Sequence, residues 1–141
     1  MDGRKRTSLF LIEQVAAIAI FAVFAAVCSA IIINAYFTAN DAKDINYAII
    51  AAKNGAEVYQ IYKNPYETAK ALGGSPRDPQ SADIYYDRNW QICDEADAEF
   101  ILRFNTVESM SPMPLTELTV ERKNGEEIIS FTVSAGIQGA K

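Results

Sequence analysis

The sequence predicts an α+β protein: a long amino-terminal helix packed on a small antiparallel sheet of three or four strands. Three observations predict it. An apolar run extends from Leu9 to Ile33, helix-period apolar spacing continues to Lys63, and short runs beyond Ser81 alternate apolar with polar residues. The chain therefore divides into a basic leader (1–8), a transmembrane helix (9–33), an amphipathic continuation of it (34–63), a loop connector (64–81) and a β-sheet domain (82–141). About 100 residues remain outside the apolar run, enough for one modest core.

The leader carries Arg4, Lys5 and Arg6, the only dense basic patch in a chain of net charge −5. No basic stripe suited to nucleic acid accompanies it. Leu9–Ile33 is 25 residues long, and Val15–Ile33 is free of charge for 19. A bilayer needs about 20 helical residues, whereas a secretory signal core has about 7–15. The basic cluster places the short amino-terminal end in the cytoplasm and the rest of the chain outside. Glu13 interrupts the start of the run. A carboxylate in hydrocarbon costs about 2.5–3.5 kcal/mol on insertion scales, so an acid there is a functional candidate. The plainer reading puts Glu13 near the interface, within reach of headgroups.

From Tyr36 to Lys63 there is no proline, and only Gly55 is a poor helix former. Ile45, Ile49, Ala52, Ala56 and Tyr59 recur at three- and four-residue steps and form one predicted core stripe. Tyr47, Ile50, Val58 and Ile61 fall on the other side, with Asn46, Lys53, Glu57 and Gln60 between. One greasy face packs on the domain, and the second calls for another cover, either neighbouring helices or a wider wrap of the domain. Unbroken, Leu9–Lys63 makes a helix of roughly 80 Å.

Asn64-Pro65 ends the helix, because the residue before proline avoids the α region. Pro65, Gly73, Gly74, Pro76 and Pro79 make the following stretch a connector, with one helical turn near Thr68–Leu72. Strands follow at Ile84-Tyr85-Tyr86, at Phe100, Leu102 and Phe104, at Leu118 and Val120, and at Ile129, Phe131 and Val133. Asn124-Gly125 is the strongest hairpin signal. The apolar face of this meander needs the helix stripe to complete a core.

Little in the domain carries chemistry. The chain has no histidine, which excludes imidazole bases, His ligands and His-based triads. Cys28 lies in the apolar helix and Cys93 in the distal domain, giving neither a disulfide framework nor metal spacing. Nothing basic is adjacent in sequence to activate Cys93. Asp94, Glu95, Asp97 and Glu99 form an acidic cluster that lacks the glycine and periodicity of an EF-hand, so a solvated turn is favoured over calcium, and Asp94, Glu95 and Asp97 are only weak candidate ligands. Ser109, Ser111 and Thr116 have no partner base, and Gly73-Gly74 is a turn rather than a phosphate loop. Tyr85, Tyr86 and Trp90 read as strand packing. No enzyme and no cofactor are expected.

The order Arg4-Lys5-Arg6, Ser8, Leu9-Phe10-Leu11-Ile12, Glu13 resembles the amino terminus of type IV pilins and type II secretion pseudopilins, over about 25 residues. The resemblance implies cleavage by a prepilin peptidase between Ser8 and Leu9 and methylation of the new amine of Leu9. It also implies pairing of Glu13 with that amine on a neighbouring subunit. Partners would be like subunits, the peptidase, an assembly-platform membrane protein and the cytoplasmic membrane. The product would be an extracytoplasmic filament serving a pilus, secretion or DNA uptake. Ser8 stands where the family usually has glycine, Leu9 where phenylalanine is common, and no proline bends Leu9–Ile33. The residues alone also fit an uncleaved single-pass anchor whose outer domain binds a ligand or partner.

Overall fold

Helix α1 spans Asp2–Tyr62, and the sheet-bearing remainder completes an α+β chain. The structure is a computed structural model that describes residues 2–107 and 114–134. The chain forms two compact units, Met1–Ala42 and Lys43–Lys141.

In the first unit α1 is the sole described element, and its described side chains from Gly3 to Ala42 are all exposed. Glycine and proline are absent between Thr7 and Asn54, so nothing in the sequence breaks the helix there. Ser29 Oγ donates to Ala25 O at 2.8 Å, which satisfies the hydroxyl inside the apolar run without a partner chain. The helix is long and apolar enough to cross a membrane.

In the second unit the end of α1 packs on a five-stranded antiparallel meander. The strands are β1 Ser75–Asp78, β2 Ser81–Tyr86, β3 Phe100–Val107, β4 Leu115–Arg122 and β5 Glu127–Ser134, in that spatial order. Two rungs of apolar residues cross one face in register. Ile84, Leu102, Val120 and Ile129 form one, and Ala82, Phe104, Leu118 and Phe131 the other. Period-two alternation puts these residues on a single face, as their spacing predicts.

Against that face lie Ala48, Ala51, Ala52, Gly55 and Tyr59 of α1, all buried. This is a correction to the predicted stripe. Ala52 and Tyr59 belong to it, but Ile45 and Ile49 remain exposed, and the buried line is turned by about 60° at 100° per residue. Close approach explains the rotation. A Cβ on Gly55 would meet Leu102 Cδ2 and Phe104 Cζ at 3.0 Å, so a large side chain on this line would hold the helix off the sheet. Tyr59 sits at the end of the line, where its hydroxyl accepts a hydrogen bond from buried Thr116 Oγ1 at 2.8 Å.

Two further adjustments concern residues 64–81, expected to be a loop connector with one helical turn near Thr68–Leu72: the turn is a longer helix that begins earlier, and a strand was not foreseen. Helix α2 covers Pro65–Ala71, and β1 adds a fifth strand. Asn64-Pro65 begins a helix as well as following one: Asn64 Oδ1 accepts from Tyr66 N at 2.8 Å, and Pro65 occupies the first turn, where its missing N–H costs nothing. α1 itself stops because Lys63 turns left-handed at φ 54. β1 tolerates Pro76 because it is an edge strand with an irregularity between Pro76 and Asp78.

The β4–β5 turn falls on Asn124-Gly125 as expected, in a three-residue rather than a two-residue form. Arg122 N donates to Glu126 O, Gly125 N donates to Arg122 O, and Gly125 alone takes positive φ there, at +85. The Asp87–Gln91 loop repeats this hydrogen-bond pattern with Trp90 in the glycine position, at φ 60. Left-handed backbone at a bulky residue costs about 1–3 kcal/mol. Stacking of the indole on Phe100, centroids 4.1 Å apart, offsets it.

Two substitutions test this packing in urea denaturation of the detergent-solubilised chain. Gly55→Val should destabilise the second unit by about 1–3 kcal/mol through overpacking. Tyr59→Phe should cost about 1–3 kcal/mol, because it strands the buried Thr116 hydroxyl.

Candidate functional site

The residues singled out for processing and assembly share one short piece of α1. Ser8, Leu9 and Glu13 are all helical and exposed. Leu9 and Glu13 are four residues apart, so they lie one above the other on the same face. On the other side of Glu13, Ala16 and Ala17 occupy the positions three and four residues on, leaving little bulk beside the carboxylate. Among the described residues no cation lies within ion-pair distance of Glu13. The arrangement is thus a carboxylate one turn into an apolar helix, open to a partner from outside the chain.

Several of the second unit's titratable groups are engaged internally. Arg103, on the outer face of the sheet, spans two carboxylates: Asp83 at 3.1 Å and Glu121 at 2.8 Å. Burial opposes its charge, but those carboxylates prevail and hold the guanidinium above its ordinary value. Arg122 joins Asp44 of α1 at 3.2 Å to Glu126 at 3.1 Å, tying helix, strand and hairpin together.

The acidic cluster forms a 3-10 turn, Glu95–Asp97, with Asp94 as its cap residue. Among the described residues no three His, Cys, Asp or Glu side chains are grouped to hold a metal, so Asp94, Glu95 and Asp97 are not brought together as ligands. Cys93 is partly buried, and Cys28 is exposed on the apolar helix; both are free thiols. Burial, then the Asp87, Asp97 and Asp94 carboxylates, push the Cys93 thiol above its ordinary value. Lys123 opposes them, a basic neighbour that local sequence did not reveal because the sheet brings it in.

Tyr85 and Tyr86 are buried in β2, and burial raises the Tyr86 hydroxyl's pKa. Trp90 lies between Phe100 and Tyr47, whose ring is 5.9 Å away and stacked. Its Nε1 is buried without a hydrogen-bond partner among the described groups. Thr116 is consumed by Tyr59, and Ser109 and Ser111 lie outside the described residues. Sequence reasoning passed over the Tyr36–Phe37 pair, whose exposed rings meet edge to face at 6.2 Å just past the apolar run. Their adjacency to Asn34 was the available signal.

Comparison of the chain with protein-family models, with curated proteins and with solved structures gives no match.

The thiol environment makes a direct prediction. With its pKa raised, Cys93 holds less thiolate near pH 8 than an ordinary cysteine, so iodoacetamide should modify it more slowly than a free thiol under the same conditions. Asp97→Asn removes one of the opposing charges and should raise that rate. An unchanged rate at matched pH would show that Asp97 does not contribute to the shift.

Proposed function

We propose that this chain is a filament subunit of the type IV pilin-like or pseudopilin kind, held in the cytoplasmic membrane by α1 before assembly. The carrying observation is Glu13: a carboxylate one turn into an exposed apolar helix, stacked above Leu9, with no cation of the described chain near it. Cleavage between Ser8 and Leu9 would create an amine at Leu9. Within one subunit that amine and Glu13 are separated along the helix axis by about 6 Å. Between subunits shifted by one turn they can meet.

A pair of this kind contributes little net stability, since both charges lose water. Its worth lies in register, because a subunit docked in the wrong place buries one charge unpaired, at about 3–5 kcal/mol. Outward apolar residues on α1 support a lateral contact. Ile45, Ile49, Ile50 and Ile61 remain 44–75 % exposed in the second unit, in a protein whose sheet leaves them uncovered. Exposed apolar clusters of this kind mark interaction surfaces. The filament's service, whether pilus, secretion or DNA uptake, is a separate matter from this assembly chemistry.

Intact mass and amino-terminal sequencing of the protein from its host membrane test the reading. The expected chain begins at Leu9 and carries one added methyl group. In the same host Glu13→Leu should leave membrane insertion and the second unit's fold intact. It should also deplete the sheared filament fraction by about a hundredfold or more, the equivalent of about 3–5 kcal/mol. A chain that still begins at Met1, with assembly indifferent to Glu13→Leu, would leave an uncleaved anchor bearing a binding domain.

A further inference from the structure

The apolar run is longer than a bilayer requires, so its two ends compete for hydrocarbon. Leu9–Ile33 has 25 residues, about 37 Å of helix, against a hydrocarbon layer of about 30 Å. Side chains at either end decide the register. At the outer end Asn34 closes the run, and Thr38 Oγ1 donates to its carbonyl at 2.9 Å. Tyr36 and Phe37 follow, more than half exposed and in edge contact with each other. A ring with a polar tip on an otherwise bare helix belongs at the lipid–water boundary, where Tyr and Trp are enriched.

At the inner end Glu13 and Gln14 are the only polar side chains between Ser8 and Cys28. Counting back 20 residues from Ile33, one bilayer's worth, ends at Gln14. The two polar residues thus fall at the opposite boundary when the aromatic pair is seated at its own. Tilting the helix to take in the whole run moves Glu13 inward by only about 5 Å, within reach of a flexible carboxylate.

We infer that the Tyr36–Phe37 pair is a lipid-interface anchor that sets the depth of α1 and holds Glu13 and Gln14 at the inner edge of the hydrocarbon. Arg4, Lys5 and Arg6 then lie beyond that edge, facing anionic headgroups. This rests on the membrane placement proposed above and is independent of cleavage at Ser8. Its consequence concerns the acid. In the stored subunit the Glu13 carboxylate keeps headgroup water, and it is stripped of water only when the helix leaves the bilayer and enters a protein environment.

A cysteine scan of the uncleaved chain tests this, in membranes lacking prepilin peptidase and in a Cys28→Ser, Cys93→Ser background. The probe is a membrane-impermeant maleimide applied to inside-out vesicles or to spheroplasts. Gln14→Cys should be modified from the cytoplasmic face, Asn34→Cys from the outer face, and Ala19→Cys and Ala25→Cys from neither. Adding Tyr36→Ala with Phe37→Ala releases the outer end to move outward, which draws Leu9–Ile12 and with them Gln14 into the hydrocarbon, and should lower modification at Gln14→Cys by roughly fivefold. Protection of Gln14→Cys equal to that of Ala19→Cys would overturn the inference, as would indifference to loss of the aromatic pair. Modification at all four positions would remove the membrane placement itself. The amino-terminal residue of the processed protein bears on cleavage alone and leaves this register untouched.

Discussion

The close approach of α1 to the sheet along Ala48, Ala52 and Gly55 is the constraint on which the second unit depends. A five-stranded meander has one apolar face and no second layer of its own, and the end of α1 supplies that layer. The core residues Leu102, Phe104 and Leu118 are completely buried because the helix side of the contact carries almost no side-chain bulk. Large residues come from the sheet and small ones from the helix, so the two surfaces approach closely. Tyr59 then fixes the helix lengthwise through Thr116, and Arg122 does the same through Asp44 nearer the hairpin. Removing α1 would leave the rungs of Ile84, Leu102, Val120 and Phe104 facing water.

That economy has a second effect. A typical surface helix buries its large apolar residues and exposes small or polar ones. Here the order is inverted: alanines and a glycine are buried, while isoleucines flank them or point away. The helix therefore satisfies its own domain with a narrow strip and retains apolar surface for something else. In the filament proposal that surface meets the helices of like subunits. The core of the second unit is completed by that narrow strip alone, without the exposed isoleucines.

Much of the sheet was legible because period-two alternation is a strong signal when one face is buried. Phe100, Leu102 and Phe104, then Leu118 and Val120, then Ile129, Phe131 and Val133 all lie on the face their spacing assigns. The helix stripe was misjudged because hydrophobicity was read as depth of burial. At a helix–sheet contact, size decides, and Gly55 was the clue, since a poor helix former kept mid-helix has a packing reason. β1 was hidden by Pro76 and Pro79, which argue against a central strand but not against an edge. α2 was foreseen only as one turn near Thr68–Leu72 because it is short, and the turn at Trp90 was hidden because that residue occupies a position glycine normally fills. At the candidate site, Ser8, Leu9 and Glu13 were singled out by position relative to an apolar run, and the structure adds only that all three are helical and exposed. Lys123 beside Cys93 was not readable, being brought there only by the sheet.

In the filament proposal Glu13 poses a general problem, since one carboxylate would have to be tolerated in two surroundings and penalised in every other. At the inner edge of a bilayer it keeps water, so the lipid exerts little force against it. Among packed apolar helices it loses that water, and only a cation in the right place compensates. The selectivity of an acid so placed is the difference between those states, which is set less by attraction than by the penalty for misplacement. A more hydrophobic residue would hold the chain in the membrane more firmly and would also let neighbouring helices pack in several registers. In the filament proposal the information needed to build an ordered array would sit in the one residue that looks least suited to its helix, and the proposed aromatic anchor near the other end would keep that residue where it can be used.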